Sequence, residues 1–521
     1  MRKYLLALDA GTGSIRAVLF SVDGEQVGVA QREWEHHEDP RWPGSMDFDW
    51  VTNWQLALDC IKEVLAKTSI DPKEIAGIST TCMREGILLY DQDGNEIWAC
   101  ANVDARSVDE VKQLIDMDPE LEKKIYQKSG QTYALGALPR LLWVKNKMPE
   151  IYNKAAKIGM FNDWLAYKLT GILAVEPSNG STTGIMSLEE RAWDPEIAKE
   201  CGLRDDLFGQ VVECGEVLGA VTADAAAETG LAEGTPVVVG GGDCQLGMIG
   251  VGACEPGQAG VFGGSFWQYE FNTDKSTPDP EYRVRVNCHA IPQIWQYEAL
   301  AFKPGLVMRW YRDGFCQAEK AEARERGIDD VYEVMNERAA EIPAGSHGML
   351  CCFSDVMNYI HWIHASPTFT NFELDPERFN KYTFYRAILE NTALLVRGHI
   401  ELVKEATGNE PDELIFAGGA SKCSLWAQIV ADVTGKNVRI PKVKEATALG
   451  AAVLAGYGVG IYPSIAEGAK RVVKWDKTFS PNPDNKAVYD QLYVQWKDVY
   501  KSQLELAEEG KVKSMWRAPG L

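Results

Sequence analysis

Short apolar runs separated by tight polar turns open the chain. Residues 4–8 and 15–20 are mostly apolar, and Asp9-Ala-Gly-Thr-Gly-Ser14 lies between them. Asp23-Gly24 then precedes a third run at residues 25–30. Asp-Gly between such runs is a strong signal for a β-hairpin. The pattern therefore predicts three consecutive strands joined by two tight turns.

Helix-like and strand-like patterns alternate through the rest of the first half. Asp49 precedes apolar positions spaced three to four residues apart up to Leu65, which predicts a helix capped by Asp49. The polar stretch Ser178-Asn-Gly-Ser-Thr-Thr-Gly184 is interpreted as a flexible connection. The other predicted elements are a strand at 75–82, a hairpin with arms 87–90 and 97–101, a helix opened by a capping box at Ser107-Val-Asp-Glu110, and helices near 140–148 and 162–170.

A second run-turn-run pattern appears in the second half, around Gly263-Gly-Ser265, and it predicts two related halves. The other predicted elements are a strand from Thr235 that runs through three glycines to Asp243, a helix beginning near Lys303, a long helix at 384–407 ended by Gly408, a strand at 414–417, a helix ending near Gly435, and a small-residue helix from Glu445. We expect domains at 1–250 and 251–463, and a helical tail at 464–521 that packs on the core.

Length and charge limit the classes of protein to consider. A chain of 521 residues is too long for one core, so two or three domains are expected. The formal charge of −22 argues against a nucleic-acid partner and against an anionic membrane surface. No apolar run is long enough to span a membrane, and the run before Asp9 is too short for a signal peptide.

Cysteine and histidine usage indicates a reduced protein without a structural metal. The cysteines are scattered without C-x-x-C spacing, which is typical of a cytoplasmic chain. His361 and His364 could share a helix face, but no cluster of further ligands flanks them, so a metal site there is not predicted.

The turn after the first strand is a candidate phosphate site. Its glycines and hydroxyls expose several backbone N–H groups together, an arrangement that binds anions. Asp9 would repel a bare phosphate but suits a Mg²⁺ ion that accompanies one. Arg16 stands where a dinucleotide fingerprint needs its third glycine, so the turn does not match that motif. An ordinary β-turn in which glycine supplies a positive φ explains the turn equally well.

Two sets of polar residues beside predicted strands are candidates for chemistry. Asp243 follows three glycines, where a ligand can approach closely and a carboxylate can take a proton from a hydroxyl. A helix N-cap is the simpler interpretation of Asp243 taken alone. Arg84, Glu85, Asp104 and Arg106 lie on predicted loops, where recognition residues usually occur. Surface ion pairing is the alternative for that set.

Five glycine-rich or acidic stretches occur in order along the whole chain. They are Asp9-Ala-Gly-Thr-Gly-Ser-Ile-Arg16, Gly240-Gly-Gly-Asp243, Gly263-Gly-Ser265, Ala417-Gly-Gly-Ala-Ser421 and Glu445-Ala-Thr-Ala-Leu-Gly450. Together they resemble the FGGY carbohydrate kinase family. The resemblance implies an α/β, actin-like ATPase (ribonuclease H-like) fold with two domains. Each domain would have a central mixed β-sheet flanked by helices, with an ATP cleft between the domains.

A second set of stretches is similar to one bacterial group within that family. These stretches are Cys82-Met-Arg-Glu-Gly86, Trp98-Ala-Cys-Ala-Asn-Val-Asp-Ala-Arg106, Ser265-Phe-Trp-Gln268, Met308-Arg-Trp310 and Trp516-Arg-Ala-Pro-Gly-Leu521. The similarity implies ATP-dependent phosphorylation of an open-chain dihydroxypentanedione at its terminal hydroxyl, after uptake into the cell. Another small polyol or ketose, such as xylulose, ribulose or glycerol, stays open as the substrate. A non-catalytic ATP-driven clamp is the alternative outside enzymes.

The family pattern implies roles for individual residues of this chain. Asp243 is the implied general base, and Asp9 would bind Mg²⁺ through water. The implied substrate contacts are Arg84, Glu85, Asp104, Asp243 and Gln245, although Cys244 follows Asp243 where many relatives have glutamine, which leaves the role of Gln245 open. The implied ATP contacts are Gly11, Thr12, Gly13, Ser14, Arg16, Gly264, Ser265, Gly305, Arg309, Gly418, Gly419 and Ala420. A phosphocarrier protein of the sugar phosphotransferase system is an implied regulatory partner.

Overall fold

The computed structural model describes residues 3–359 and 362–518. The strands of the first half are β1 (Tyr4–Gly11), β2 (Ser14–Ser21), β3 (Gln26–Glu33), β4 (Ile75–Cys82), β5 (Ile87–Tyr90), β6 (Glu96–Cys100), β7 (Lys157–Gly159), β8 (Met186–Ser187), β9 (Ala192–Trp193), β10 (Val217–Ala220) and β11 (Pro236–Gly242). Its helices are α1 (Trp50–Thr68), α2 (Val108–Met117), α3 (Leu121–Ser129), α4 (Ala137–Lys147), α5 (Pro149–Lys154), α6 (Phe161–Thr170), α7 (Pro177–Gly180), α8 (Pro195–Glu200), α9 (Ala223–Thr229) and α10 (Asp243–Gly250).

The second half continues the same alternation of strands and helices. Its strands are β12 (Ala259–Gly263), β13 (Trp267–Thr273), β14 (Arg285–Cys288), β15 (Trp295–Ala301), β16 (Leu350–Cys352), β17 (Ile363–Ala365), β18 (Thr368–Thr370), β19 (Glu413–Ala417), β20 (Asn437–Pro441), β21 (Trp475–Phe479) and β22 (Ser514–Arg517). Its helices are α11 (Pro304–Phe315), α12 (Gln317–Arg326), α13 (Val331–Ala340), α14 (Lys381–Thr407), α15 (Ser424–Thr434), α16 (Ala446–Gly458), α17 (Ile465–Val472) and α18 (Lys486–Glu508). Short 3₁₀ turns lie at Pro72–Glu74, Tyr133–Leu135, Ser181–Thr183, Ser346–Gly348, Gly419–Lys422 and Pro483–Asn485.

The opening hairpin is the centre of a six-stranded sheet with the order β10-β11-β4-β1-β2-β3. β1 pairs antiparallel with β2 and parallel with β4, which pairs parallel with β11. Side chains of β1 alternate between the two faces. Leu6 and Leu8 join the core cluster formed with α1 and α6, whereas Leu5 and Ala7 join the cluster formed with α16. Burial on both faces explains why the first run is almost continuously apolar.

A second sheet repeats the topology of the first and extends it by β14. Its order is β14-β15-β13-β12-β19-β20-β21. From β15 to β21, the neighbouring pairs are antiparallel, antiparallel, parallel, parallel and antiparallel. The first sheet shows the same succession from β3 to β10. The prediction of two related halves, each with a mixed sheet flanked by helices, is confirmed.

Helices α10 and α16 join the two halves by crossing at very close range. A Cβ atom on Gly250 would lie 1.8 Å from the carbonyl oxygen of Ala446, and one on Gly450 would lie 1.9 Å from that of Leu246. Only glycine allows this approach at both positions. α16 belongs to the second half of the chain, yet it packs on β1, β4 and β11 of the first sheet. The ends of strands from both halves are thereby held close together.

Several local predictions are confirmed at single residues. The side chain of Asp49 accepts hydrogen bonds from the backbone N–H groups of Val51 and Thr52, as expected of the cap of α1. Gly408 ends α14 in the left-handed conformation, with φ of 77°. Among the described residues, no helix is long and apolar enough to cross a membrane.

Three local predictions are wrong. Ser107 makes no capping hydrogen bond to α2, because its own backbone has φ of −90° and ψ of 28° rather than an extended conformation. Residues 178–184 are buried and form α7 and a 3₁₀ turn, so they are not a flexible connection. The tail is not purely helical, because β21 extends the second sheet and β22 pairs with β17.

No metal site was predicted at His361 and His364. His361 lies outside the described residues. His364 is fully buried and stacks on Phe302, and its Nδ1 atom accepts the backbone N–H of Asp355. Burial lowers the pKa of His364 to about 3, which keeps the imidazole neutral.

Candidate active site

The carboxyl ends of three neighbouring parallel strands meet at one edge of the first sheet. Cys82 at the end of β4 is the register partner of both Ala10 on β1 and Gly242 on β11. The turn after β1, the Arg84-Glu85 pair and Asp243 therefore leave the sheet side by side. Ligands of open α/β sheets usually bind at such an edge.

The turn after β1 is held from one side and open on the other. Trp34 Nε1 donates to the carbonyl oxygens of Gly11 and Thr12, at 3.0 and 3.1 Å. The glycines have no positive φ, so the interpretation of an ordinary turn that needs glycine for its conformation is wrong. A Cβ atom on Gly13 would meet nothing within 4 Å. Thr12 and Gly13 are exposed, so the turn is accessible to a ligand.

Asp9 lies at the end of β1, where it shares one arginine with a carboxylate from the second half. Arg16 Nη1 is 3.6 Å from Asp9 Oδ2 and 3.0 Å from Glu445 Oε2. Burial raises the pKa of Asp9 to about 7; Arg16 opposes this shift, and the charges of Asp243 and Glu445 add to it. Acidic groups outnumber the arginine at this point, so the local charge is negative.

The acidic cluster around Asp9 fits a divalent cation that arrives with a phosphate. Asp243 and Glu445 are both near enough to Asp9 for their charges to raise its pKa. Among the described residues they do not form a compact group of ligands, since only Cys244, Glu270 and Glu298 do so. Mg²⁺ usually keeps several waters and binds one or two carboxylates together with substrate phosphates. The residues present are therefore compatible with Mg²⁺ held through water.

Asp243 is the first residue of α10, and its side chain is 37% exposed. Its Oδ1 atom accepts the N–H of the adjacent Cys244 at 2.8 Å and lies 3.4 Å from Arg84 Nε. The N-cap of α10 is Gly242, so the N-cap interpretation of Asp243 is wrong. Partial removal of the carboxylate from water raises its pKa above the ordinary value; Arg84 opposes this shift and Glu85 adds to it. The geometry leaves an accessible carboxylate oriented by a buried arginine.

Arg84 and Glu85 belong to a buried ion-pair network that joins the two halves. Arg84 binds Glu298, and Arg285 binds both Glu85 and Glu298, the latter at 3.3 Å. Glu85 adopts a positive φ of 65°, and its carbonyl oxygen accepts a hydrogen bond from Arg140. Burial opposes ionisation of Glu298, but its two arginines hold its pKa below the ordinary value. The interpretation of Arg84 and Glu85 as surface ion pairs is wrong.

Asp104 and Gln245 are buried, and the structure gives them different surroundings. The carboxylate of Asp104 accepts hydrogen bonds from Arg106 Nε at 2.7 Å and from the N–H of Met46 at 2.6 Å. Its side chain has no exposed area. Neither amide atom of Gln245 has a hydrogen-bond partner among the described residues. The substrate roles of both residues stay predictions. The amide of Gln245 has no partner among the described residues, whereas the carboxylate of Asp104 is already hydrogen-bonded within the protein.

The turn after β12 brings the remaining predicted site residues together. Gly264 and Ser265 are exposed, and a Cβ atom on Gly305 at the start of α11 would lie 2.2 Å from the carbonyl oxygen of Gly264. Gly418 has φ of +87° and would place a Cβ atom 2.7 Å from the carbonyl oxygen of Gly263. These glycines permit the turn after β12, the start of α11 and the loop after β19 to touch. Arg309 is exposed one turn further along α11, and Gly419 and Ala420 follow Gly418.

A row of charged residues on three adjacent strands of the second sheet was not predicted from the sequence. Glu298 on β15 pairs in register with Glu270 on β13 and with Arg285 on β14. All are almost completely buried. Charged residues within otherwise apolar strand patterns were the available signal. Glu298 is bonded to two arginines, so the cluster of Cys244, Glu270 and Glu298 does not suit a cation.

Comparison with known families gives two matches, one in each half of the chain. The N-terminal domain of the FGGY family of carbohydrate kinases matches residues 4–250. The C-terminal domain of the same family matches residues 271–459.

Comparison with known proteins finds relatives of the same length. The autoinducer-2 kinase of Enterobacter sp. (strain 638) is 49% identical over 519 residues, which cover 99% of this chain and 98% of the relative. The autoinducer-2 kinase of Photorhabdus laumondii is 47% identical over 520 residues, which cover 100% of this chain and 98% of the relative. Among solved structures, xylulose kinase from Rhodospirillum rubrum has a TM-score of 0.87 at 24% identity and covers 97% of this chain and 99% of its own. Plasmodium falciparum glycerol kinase with ADP has a TM-score of 0.83 at 20% identity and covers 96% and 98%.

Proposed function

The chain belongs to the FGGY family of carbohydrate kinases, and we propose that it phosphorylates autoinducer-2 with ATP. The acceptor is the terminal hydroxyl of the open dihydroxypentanedione form. Identity of 47% to 49% to named autoinducer-2 kinases, over essentially the full length, supports this substrate. The accessible Asp243 carboxylate at the convergence of three strand ends is the single observation that supports the kinase chemistry.

The proposed reaction is an in-line transfer in which Asp243 is the general base. Its carboxylate accepts the proton of the attacking hydroxyl, while Arg84 fixes the orientation of that carboxylate at 3.4 Å. Backbone N–H groups of the turn after β1 and the turn after β12 hold the phosphates of ATP. Mg²⁺, held beside Asp9 through water, would neutralise charge on the transferred group. Gly305, Arg309 and residues 418–420 lie on the nucleoside side of this arrangement.

The use of ATP as the phosphoryl donor indicates the cellular compartment of the reaction. We place the reaction in the cytoplasm, where ATP is available. Control by a phosphocarrier protein of the sugar phosphotransferase system stays a prediction.

A direct test compares acceptors for the purified protein with ATP and Mg²⁺. ADP release is measured with dihydroxypentanedione, xylulose and glycerol as separate acceptors. We expect kcat/KM for dihydroxypentanedione to exceed the others by at least about tenfold, because a site built to bond substrate oxygens discriminates against mismatched acceptors. Equal or faster turnover of xylulose or glycerol would reassign the substrate. Acceptor-independent ADP release alone would refute the kinase proposal.

Two glycine substitutions separate contact with ATP from packing. Gly13→Ala adds a methyl group in open space at a position without positive φ, so the melting temperature should not change. We expect the KM for ATP to rise about tenfold, because the methyl group blocks close approach of the phosphates. Gly305→Ala forces a Cβ atom to 2.2 Å from the Gly264 carbonyl oxygen and should lower both ATP affinity and melting temperature. An unchanged KM for ATP in Gly13→Ala would remove the turn after β1 from the ATP site.

A further inference from the structure

Residues 176–183 form a buried polar segment behind the candidate active site. Glu176 precedes α7, and the segment continues through the 3₁₀ turn at Ser181–Thr183. None of its polar side chains is exposed to solvent. A run of serine, threonine and asparagine is rarely buried unless its polar groups are bonded. The partners of those groups therefore explain why the segment is inside the protein.

The first contact reaches the strand that carries Asp243. Ser178 Oγ accepts the backbone N–H of Gly242 at 3.0 Å, and Gly242 directly precedes Asp243. The fit is tight, since a Cβ atom on Gly241 would lie 2.5 Å from Ser178 Oγ. The hydroxyl of Ser178 is thus bonded to the last residue of β11 and packed closely against the residue before it.

The second contact reaches the strand that carries Arg84. Asn179 Nδ2 donates to Cys82 Sγ at 3.1 Å and to Asn162 Oδ1 at 2.9 Å. Cys82 is the register partner of Gly242 and lies two residues before Arg84. One turn of helix therefore bonds to the last residues of both strands whose loops supply the candidate base and its arginine.

The third contact crosses to the second half of the chain. Ser181 Oγ accepts the backbone N–H of Cys288 at 3.1 Å, and Cys288 ends β14, which begins with Arg285. Arg285 is the partner of Glu85 and Glu298 in the buried network. The segment thus bonds to the last residues of β11 and β4, which precede Asp243 and Arg84, and to the last residue of β14, which carries Arg285.

The segment is itself held rigidly. The carboxylate of Glu176 accepts the N–H groups of Ser178, at 2.5 Å, and of Asn179, at 2.9 Å. The thiol of Cys214 donates to the same carboxylate at 3.0 Å. A segment fixed by such hydrogen bonds holds the groups bonded to it in defined positions.

We propose that Ser178 is a positioning residue for the phosphoryl transfer, acting on Asp243 through the N–H of Gly242. Asn179 and Ser181 bond to β4 and β14, and they hold these two strands in position relative to β11. The inference rests on the proposed function, in which Asp243 is the base. A displacement of about 1 Å at a reacting group can lower turnover about a hundredfold, so one hydrogen bond at this position has a measurable effect on kcat.

The test uses Ser178→Ala and a matched control in the same segment. Ser178→Ala leaves the N–H of Gly242 without its acceptor. Thr183→Val removes a hydroxyl that is equally buried but bonds to the carbonyl oxygen of Gly180 at 2.7 Å and to the N–H of Ile185 at 3.1 Å, away from β11. Ser178→Thr keeps the hydroxyl. For each variant, kcat, the KM for ATP and the melting temperature are measured in the full-length protein.

We expect Ser178→Ala to lower kcat about 10- to 100-fold without raising the KM for ATP. Thr183→Val should lower the melting temperature to a similar extent and leave kcat near the wild-type value, and Ser178→Thr should restore most of kcat. Wild-type kcat in Ser178→Ala, or an equal loss in Thr183→Val, overturns the inference. If Ser178→Ala does not fold, Ser178→Cys, whose thiol is a weaker acceptor, must give an intermediate kcat; a wild-type kcat in Ser178→Cys overturns the inference.

The proposed function and the positioning inference fail in different ways. Absence of ADP release from the wild-type protein with every acceptor refutes the function. An active wild-type protein that loses activity in Asp243→Asn but not in Ser178→Ala refutes only the positioning role.

Discussion

Replacing Asp243 with asparagine lowers kcat by a factor of about 10² to 10⁴ or more, because the amide cannot accept the proton of the attacking hydroxyl. Such a loss corresponds to about 3 to 5 kcal/mol of barrier. The KM for ATP should stay close to the wild-type value, since the phosphates are held by the two turns and not by this side chain. Steady-state ADP release, with ATP and the acceptor varied separately, measures both quantities.

Asp109→Asn is the matched control for Asp243→Asn. Asp109 is an exposed acidic residue in the first turn of α2, for which no role at the site is proposed, and its replacement should leave kcat unchanged. The pH profile gives a second check. Burial raises the pKa of Asp243, so the base becomes protonated, and activity falls, at a higher pH than for an ordinary aspartate. Turnover of Asp243→Asn within a few-fold of wild type would refute its role as the base.

Most of the fold could be predicted because its signals are local. The two hairpins follow from apolar runs around short polar turns, and both appear as predicted. The cap at Asp49 and the left-handed end of α14 at Gly408 need only the residues on either side of them. The repeated hairpin pattern predicted two related halves, and the resemblance to the kinase family implied a mixed sheet in each half.

The buried polar parts could not be predicted, because their partners lie far away in sequence. Arg84 and Glu298 are separated by 214 residues, and Glu85 and Arg285 by 200. Polar composition alone made residues 178–184 look like a loop, although each hydroxyl or amide there has a buried partner. Strand register places Glu270, Glu298 and Arg285 in one row. The pattern of a single strand does not show which residues of its neighbours in the sheet lie opposite it.

Replacing Glu298 with glutamine has the largest expected effect on stability. Glu298 is fully buried and neutralises both Arg84 and Arg285, so the amide leaves buried positive charge without its partner. Breaking a buried pair in this way costs about 3 to 5 kcal/mol. We expect a clear fall in the melting temperature and in the urea midpoint. Arg285 still has Glu85 as a partner. Arg84 is therefore the guanidinium that loses most of its compensating negative charge.

Glu413→Gln provides the comparison, because it breaks an arginine–glutamate pair that is partly exposed to solvent. Glu413 and Arg439 are 2.8 Å apart, with side chains 38% and 30% exposed, and such pairs contribute only about 0 to 1 kcal/mol. Equal midpoints for Glu298→Gln and Glu413→Gln would show that the buried network does not stabilise the joined halves. Turnover distinguishes the two roles further: Asp243→Asn should lose activity in a stable protein. Glu298→Gln should lose stability and activity together, because Arg84 no longer has the partner that fixes it against Asp243.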